Sequence, residues 1–140
     1  MKTILALTCF CLITMLGYGQ TQYELNQIAY KGYLKAEKQL NNSYQAILKA
    51  YKSDTVFIRN FKKAQKIWYQ LRDAEMDAYY PERADELQGS SAPMCWNLHK
   101  TNLTKTRIKA LRMWLVGVEE GDICRGTPKA KKAKLYTNKK

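Results

Sequence analysis

The sequence predicts an all-α fold: a small antiparallel bundle of about three amphipathic helices, followed by a disordered basic C-terminal tail. Three observations lead there. Three segments repeat apolar residues every three or four positions, the period of one helix face. No segment alternates with period two over a useful length, so no sheet is expected. The last residues, Thr127 to Lys140, hold six lysines and no acid, a composition too polar to fold alone.

Ahead of the helices, Lys2 precedes the uncharged apolar stretch Ile4 to Leu16, and Gly17-Tyr18-Gly19 supplies small residues before Gln20. That order is the plan of a secretory signal peptide, here residues 1–19. The apolar run is short of the roughly 20 residues that span a bilayer as a helix. Cys9 and Cys11 sit inside it rather than at its end, which argues against a lipid-bearing cysteine at the mature terminus. A cut before Gln20 leaves two cysteines, Cys95 and Cys124, and a net charge of +11. About 120 residues then remain, enough for one core. The expected organisation is a signal peptide (1–19), a helical domain (20–126) and a lysine-rich tail (127–140).

The first stripe runs Leu25, Ile28, Gly32/Tyr33, Ala36, Leu40, Tyr44, Ile47 and Tyr51. Ser53-Asp54 offers an N-cap for the next helix. Its stripe is Phe57, Phe61, Ala64, Trp68, Leu71 and Ala74/Glu75, and Pro81 stops it. From Pro81 to Pro93 the chain is polar, with Gly89-Ser90-Ser91 as a turn. Pro93 suits the first turn of a third helix, where its missing N–H costs nothing. Leu98, Thr101, Thr104, Ile108, Leu111 and Leu115 form that helix's stripe, with Gly117 as its C-cap.

Chemistry-bearing motifs are few, and the chain is expected to be no enzyme. His99 is the sole histidine, while triads and metal sites need several groups converging. The seven glycines are scattered and form no phosphate-cradling loop. No cofactor or metal is expected. The densest polar signal is Gln65, Trp68, Arg72 and Asp73. Gln65, Trp68 and Arg72 share one helix face, which overlaps the apolar stripe. An arginine there must snorkel or be paired, because an unpaired buried charge is costly. Either Arg72 ties its helix to a neighbour, with Trp68 as core, or the two line a shallow binding site. Cys95 and Cys124 are a candidate disulfide, on condition that residues 116–124 run back along the third helix or that this helix starts late or breaks. An exported lysine tail is most simply a solubilising one; where it has a partner, an anionic envelope polymer or membrane surface fits better than nucleic acid.

These residues together resemble the LprI-type lysozyme inhibitor N-terminal domain family, small exported bacterial domains. The likeness runs from about Thr21 to Leu111. It rests on Thr21-Gln22…Leu25-Asn26…Ala29, on Ala36…Leu40-Asn41…Tyr44, on Ala64-Gln65…Trp68…Arg72-Asp73-Ala74, on Gly89-Ser90-Ser91…Pro93, and on Leu103-Thr104…Arg107…Leu111. The Gln…Trp…Arg-Asp-Ala block is the most specific. Leu40, Asn41, Tyr44, Gln65, Trp68, Arg72, Asp73, Thr104 and Arg107 are therefore the candidate structural or binding motif. The chain departs where the family usually carries cysteines, which align here with Met76, His99 and Ile28. Loss at Met76 and His99 implies loss of one bridge, for which Cys95 with Cys124 is a candidate substitute.

The resemblance implies lysozyme inhibition as the most concrete form of a non-catalytic envelope domain that binds a protein or glycan partner. Common lysozymes are cationic, so a net +11 repels them and slows encounter unless a local acidic patch such as Glu82/Asp85/Glu86 offsets it. The alternative expectation is a structural or assembly domain whose tail contacts anionic polymer or membrane.

Overall fold

A computed structural model describes residues 20–81, 89–121, 123–124 and 126–129. The expected signal peptide, the acids of the 82–88 loop and the tail beyond Lys129 lie outside the described residues. Three helices result: α1 (Gln22–Ala50), α2 (Thr55–Tyr79) and α3 (Ala92–Val116). No helix among the described residues is long and apolar enough to cross a membrane.

Each helix begins and ends for a local reason. Thr21 and Glu24 form a reciprocal capping box at α1: the Glu24 amide donates to Thr21 Oγ1 (3.2 Å), and the Thr21 amide to Glu24 Oε2 (2.9 Å). Asp54 caps α2 by accepting from the Phe57 amide at 2.9 Å. Pro81 follows its C-cap, Tyr80. Pro93 lies in the first turn of α3, and Gly117 closes that helix at φ 84°.

The chain runs up, down and up. Gln22 and Asn26 of α1 reach Met94 and Ser90 at the start of α3, while Tyr51 meets Trp114 near its end. α1 and α3 are thus parallel neighbours, with α2 antiparallel to both. α1 and α3 pack most closely because small side chains, Ala29 and Ala36 on one, Thr101 and Thr104 on the other, occupy their buried faces. α2 stands further off because it meets them with Phe57, Phe61, Arg72 and Met76.

The apolar core lies toward the α1–α2 turn. Leu40, Ile47, Tyr51, Phe57, Phe61 and Leu111 are buried there, with Tyr44, Trp68, Ile108 and Trp114 packed on them. Full burial of each such side chain contributes about 1.5–3 kcal/mol.

The buried faces depart from the expected stripes in a consistent way. On α2 the buried positions are Phe57, Phe61, Gln65, Arg72 and Met76, while Ala64, Leu71 and Ala74 turn outward. On α3, Asn97 is buried and Trp114 half-buried in place of Leu98 and Leu115, a shift of one residue, or about 100° around the helix. On α1, Ala29 is buried and Ile28 exposed. On α2 the polar residues Gln65 and Arg72, each with a partner on a neighbouring helix, hold buried positions while the apolar residues Ala64 and Leu71 beside them face outward.

One expectation needs correction. No disulfide joins Cys95 and Cys124; both side chains are exposed. Cys95 lies in the first turn of α3, a helix about 37 Å long at 1.5 Å per residue, and Cys124 follows its other end. The chain after Gly117 does not return along α3. Instead the Val118 amide donates to the Lys129 carbonyl (3.0 Å), and the Lys129 amide to the Tyr51 hydroxyl (3.3 Å). Lys129 Nζ also donates to the Ala50 carbonyl (3.2 Å) and lies over the Tyr51 ring. Pro128 is buried and Lys129 is bonded to the end of α1, so the described start of the expected tail lies against the bundle.

Replacing Cys95 and Cys124 together by serine should leave the urea-unfolding free energy within about 0.5 kcal/mol, and reductant should not change it. A loss of 2 kcal/mol or more on reduction would show a bridge.

Candidate functional site

α1, α2 and α3 each bring polar side chains to the middle of the bundle. Arg72 is at the centre, its side chain only 5% exposed. Its Nη1 donates to Glu37 Oε1 at 2.5 Å and to Thr104 Oγ1 at 3.2 Å, and its Nε to Asp73 Oδ1 at 3.3 Å. The Thr104 hydroxyl has one hydrogen to give, with Glu37 Oε1 at 3.1 Å and the Lys100 carbonyl at 2.9 Å in reach. Lys100 Nζ completes the cluster at 3.2 Å from Asp73 Oδ1.

Aromatic rings enclose these charges. The Arg72 guanidinium lies 5.1 Å from the Trp68 ring centre and 4.9 Å from that of Tyr69. Arg107 approaches Trp68 as well, at 5.6 Å, and its Nε donates to Gln65 Oε1 at 3.0 Å. Lys100 sits over Trp96 and Tyr33. Such contacts strengthen where water is excluded. Burial pulls the Arg107 guanidinium below its ordinary pKa, and burial with the Glu37 charge beside it pushes the Tyr33 phenol up.

Of the two readings of Arg72, the structure shows the tie. It links α2 to a carboxylate of α1 and a hydroxyl of α3. Gln65, Trp68, Arg72, Asp73, Thr104 and Arg107 are thus brought into one network, and Leu40 is in the core below it. Asn41 and Tyr44 stand apart, lining a groove between α1 and α2 together with Gln65 and Asp73.

The sequence reading missed Glu37. The signal was there: Glu37 is the sole acid of α1 beyond its first turn, and it precedes Leu40 by three residues on the same face.

The cluster joins two of the motifs that suggested a relationship, the Gln65…Trp68…Arg72-Asp73 block and the Thr104…Arg107 block. The family model described as lysozyme inhibitor LprI matches residues 16–111. This chain belongs to that family. Neither curated proteins nor solved structures give a match to it. The LprI match covers α1, α2 and α3 as far as Leu111, and so takes in the whole Arg72 network. Met76 and His99, expected to fall where the family has cysteines, are packed in this LprI chain by other contacts. Met76 is buried, and one turn on Tyr79 and Tyr80 close on His99, with ring centres 4.1 and 6.1 Å away. Ile28, the third such position, is exposed.

Within the network, Arg72 Nε and Nη1 are engaged by Asp73, Glu37 and Thr104, and His99 lies tilted against Tyr79 and edge-on to Tyr80. Among the described residues no group of three or more His, Cys, Asp or Glu is placed to hold a metal ion.

Glu37→Ala should destabilise the protein by about 3 kcal/mol, because it leaves the buried Arg72 charge without its closest carboxylate. The double variant Glu37→Leu/Arg72→Met should lose less than Glu37→Ala alone. Urea titration of both decides it, and a single-variant loss under 1 kcal/mol would remove the network from this central role.

Proposed function

We propose that this LprI domain is exported and acts without catalysis, binding a protein or glycan partner of the cell envelope, with inhibition of a lysozyme as the concrete activity. Membership of the LprI family carries the reading, and the signal-like residues 1–19 support export. Charge placement removes the main physical objection. Between Glu37 and Asp73 the one acid is Asp54, and α3 has none, whereas Lys62, Lys63, Lys66, Lys105, Lys109 and Arg112 are exposed there. The excess positive charge is therefore concentrated on the half of the bundle near the α1–α2 turn. The opposite end mixes signs: Glu24 at the start of α1 and exposed Glu75 and Asp77 near the end of α2 stand with exposed Lys31 and Lys35 of α1. A cationic lysozyme approaching that end meets carboxylates and far less excess positive charge than at the basic half.

The mature chain should slow lysis of cell walls by a muramidase. Glu75→Lys with Asp77→Lys should weaken inhibition roughly tenfold, since reversing two exposed charges changes binding by about 1–2 kcal/mol. Absence of inhibition at low salt across several lysozyme types would refute the reading.

A second reading has its own support in the Lys129 strap, which anchors the start of the lysine tail at the basic half of the domain. In it, the tail holds the domain on an anionic polymer or membrane. Truncation after Lys129 keeps the strap, so it should abolish retention on an anionic surface without lowering stability. Unchanged retention would exclude this role.

A further inference from the structure

The open groove between α1 and α2 has a volume of about 400 Å³, within the range of small-ligand sites. Its aromatic wall is Tyr44 and Tyr69, both half-buried. Each ring is fixed on one side, Tyr44 by stacking on Phe61 (5.5 Å between centres) and Tyr69 by the Arg72 guanidinium. Gln65 is part of the lining although only 4% exposed. Its Oε1 accepts from Arg107, which fixes the amide orientation and leaves Nε2 as the remaining, buried donor. That Nε2 has no hydrogen-bond partner in the protein. A buried amide N–H without an acceptor costs about 1–3 kcal/mol, so the site favours a ligand carbonyl that can reach it.

The remaining groups narrow the ligand. Asn41 and Gln70 offer side-chain amides at the rim, suited to hydroxyls through paired donation and acceptance. Lys62 and Lys66, also in the lining and exposed, favour a negative charge, while Asp73, the one acid of the lining, is paired with Arg72 and Lys100. Fixed tyrosine rings suit the flat C–H face of a pyranose. A ligand with a carbonyl substituent, several hydroxyls, a ring face and a carboxylate is an acidic, N-acetylated amino-sugar oligosaccharide.

We propose that the groove between α1 and α2 binds an acidic N-acetylated glycan, with Gln65 Nε2 donating to an acetamido carbonyl, Tyr44 and Tyr69 flanking a sugar ring, and Lys62 and Lys66 meeting the carboxylate. This deepens the glycan-partner arm of the proposed function and does not depend on a lysozyme being bound. The groove lies in the basic half, away from the Glu75/Asp77 end, so the two interactions do not compete for one surface.

The test is titration of the mature chain, followed by amide NMR shifts and calorimetry, with a soluble oligosaccharide of alternating N-acetylglucosamine and N-acetylmuramic acid. Chitotetraose, which lacks the carboxylate, and a penta-glutamate peptide serve as comparisons. The expected result is saturable shifts at Asn41, Tyr69 and Gln70, with the acidic glycan bound at least fivefold more tightly than chitotetraose. Gln65→Glu keeps the acceptor for Arg107 and removes the N–H donor; it should retain the fold by circular dichroism and weaken glycan binding at least tenfold. Lys62→Ala with Lys66→Ala should bring the two glycans to equal affinity. No groove shifts at 10 mM of either glycan would overturn the proposal, as would full binding by the Gln65→Glu variant or equal binding of penta-glutamate. Lysozyme inhibition is read in a separate assay, so loss of either activity leaves the other measurable.

Discussion

The Arg72–Glu37 pair is the constraint from which the rest of the bundle follows. Placing a guanidinium at the meeting point of three helices is unfavourable unless carboxylates and hydroxyls converge on it. That requirement fixes α1 by Glu37, α3 by Thr104 and the rotation of α2 by Arg72 itself. It also explains why Leu71, an apolar residue of ordinary core type, faces solvent. A helix cannot bury residues 71 and 72 on the same face, and the charge, once paired, holds the position. The packing distances agree. Thr104 and Ala36 allow α1 and α3 to approach, and the longer arginine spans the wider gap to α2.

The network also divides the molecule. On one side lies the apolar core of Leu40, Ile47, Tyr51, Phe57, Phe61 and Leu111, stabilised by area removed from water. On the other, the α1–α3 interface carries Asn97 and Thr101, whose side chains donate to carbonyls of the preceding turn, to Pro93 and Asn97 respectively. Stability and charge are thus both unevenly distributed along the bundle axis. The apolar half is covered by lysines and arginines, which can lay their methylene stems over hydrophobic surface and keep their charges in water.

Helix number, caps and stops were legible in the sequence because each has a local cause. Asp54, Pro81, Pro93 and Gly117 act within a few residues of themselves. The buried face was not legible, since Gln65 looks like a surface residue until its partner is known. Gln65 is held by Arg107, forty-two positions away, and no periodicity count can show that. The same limit applies to the site. The Gln65, Trp68 and Arg72 grouping was visible as a helical spacing, whereas Glu37 became its counter-charge only once α1 was laid against α2. The cysteines were misleading for a related reason: they invite pairing by their number, but α3 separates them by its length.

The uneven charge bears on how such a domain protects a wall polymer. An inhibitor can occupy the enzyme, or it can occupy the polymer that the enzyme cuts. A uniformly basic protein is suited to the second and handicapped in the first, because it repels a cationic enzyme and attracts an anionic polymer. A bundle with lysines over one half and carboxylates at the other end escapes that choice. In the proposed arrangement its basic half, with the groove beside Lys62 and Lys66 and the strap at Lys129, would face the polymer, and its Glu75 and Asp77 end would point toward an approaching enzyme. Attachment by one end raises the local concentration of the other at the surface under attack, and weak contacts with both partners then suffice where a single tight one would be needed in solution.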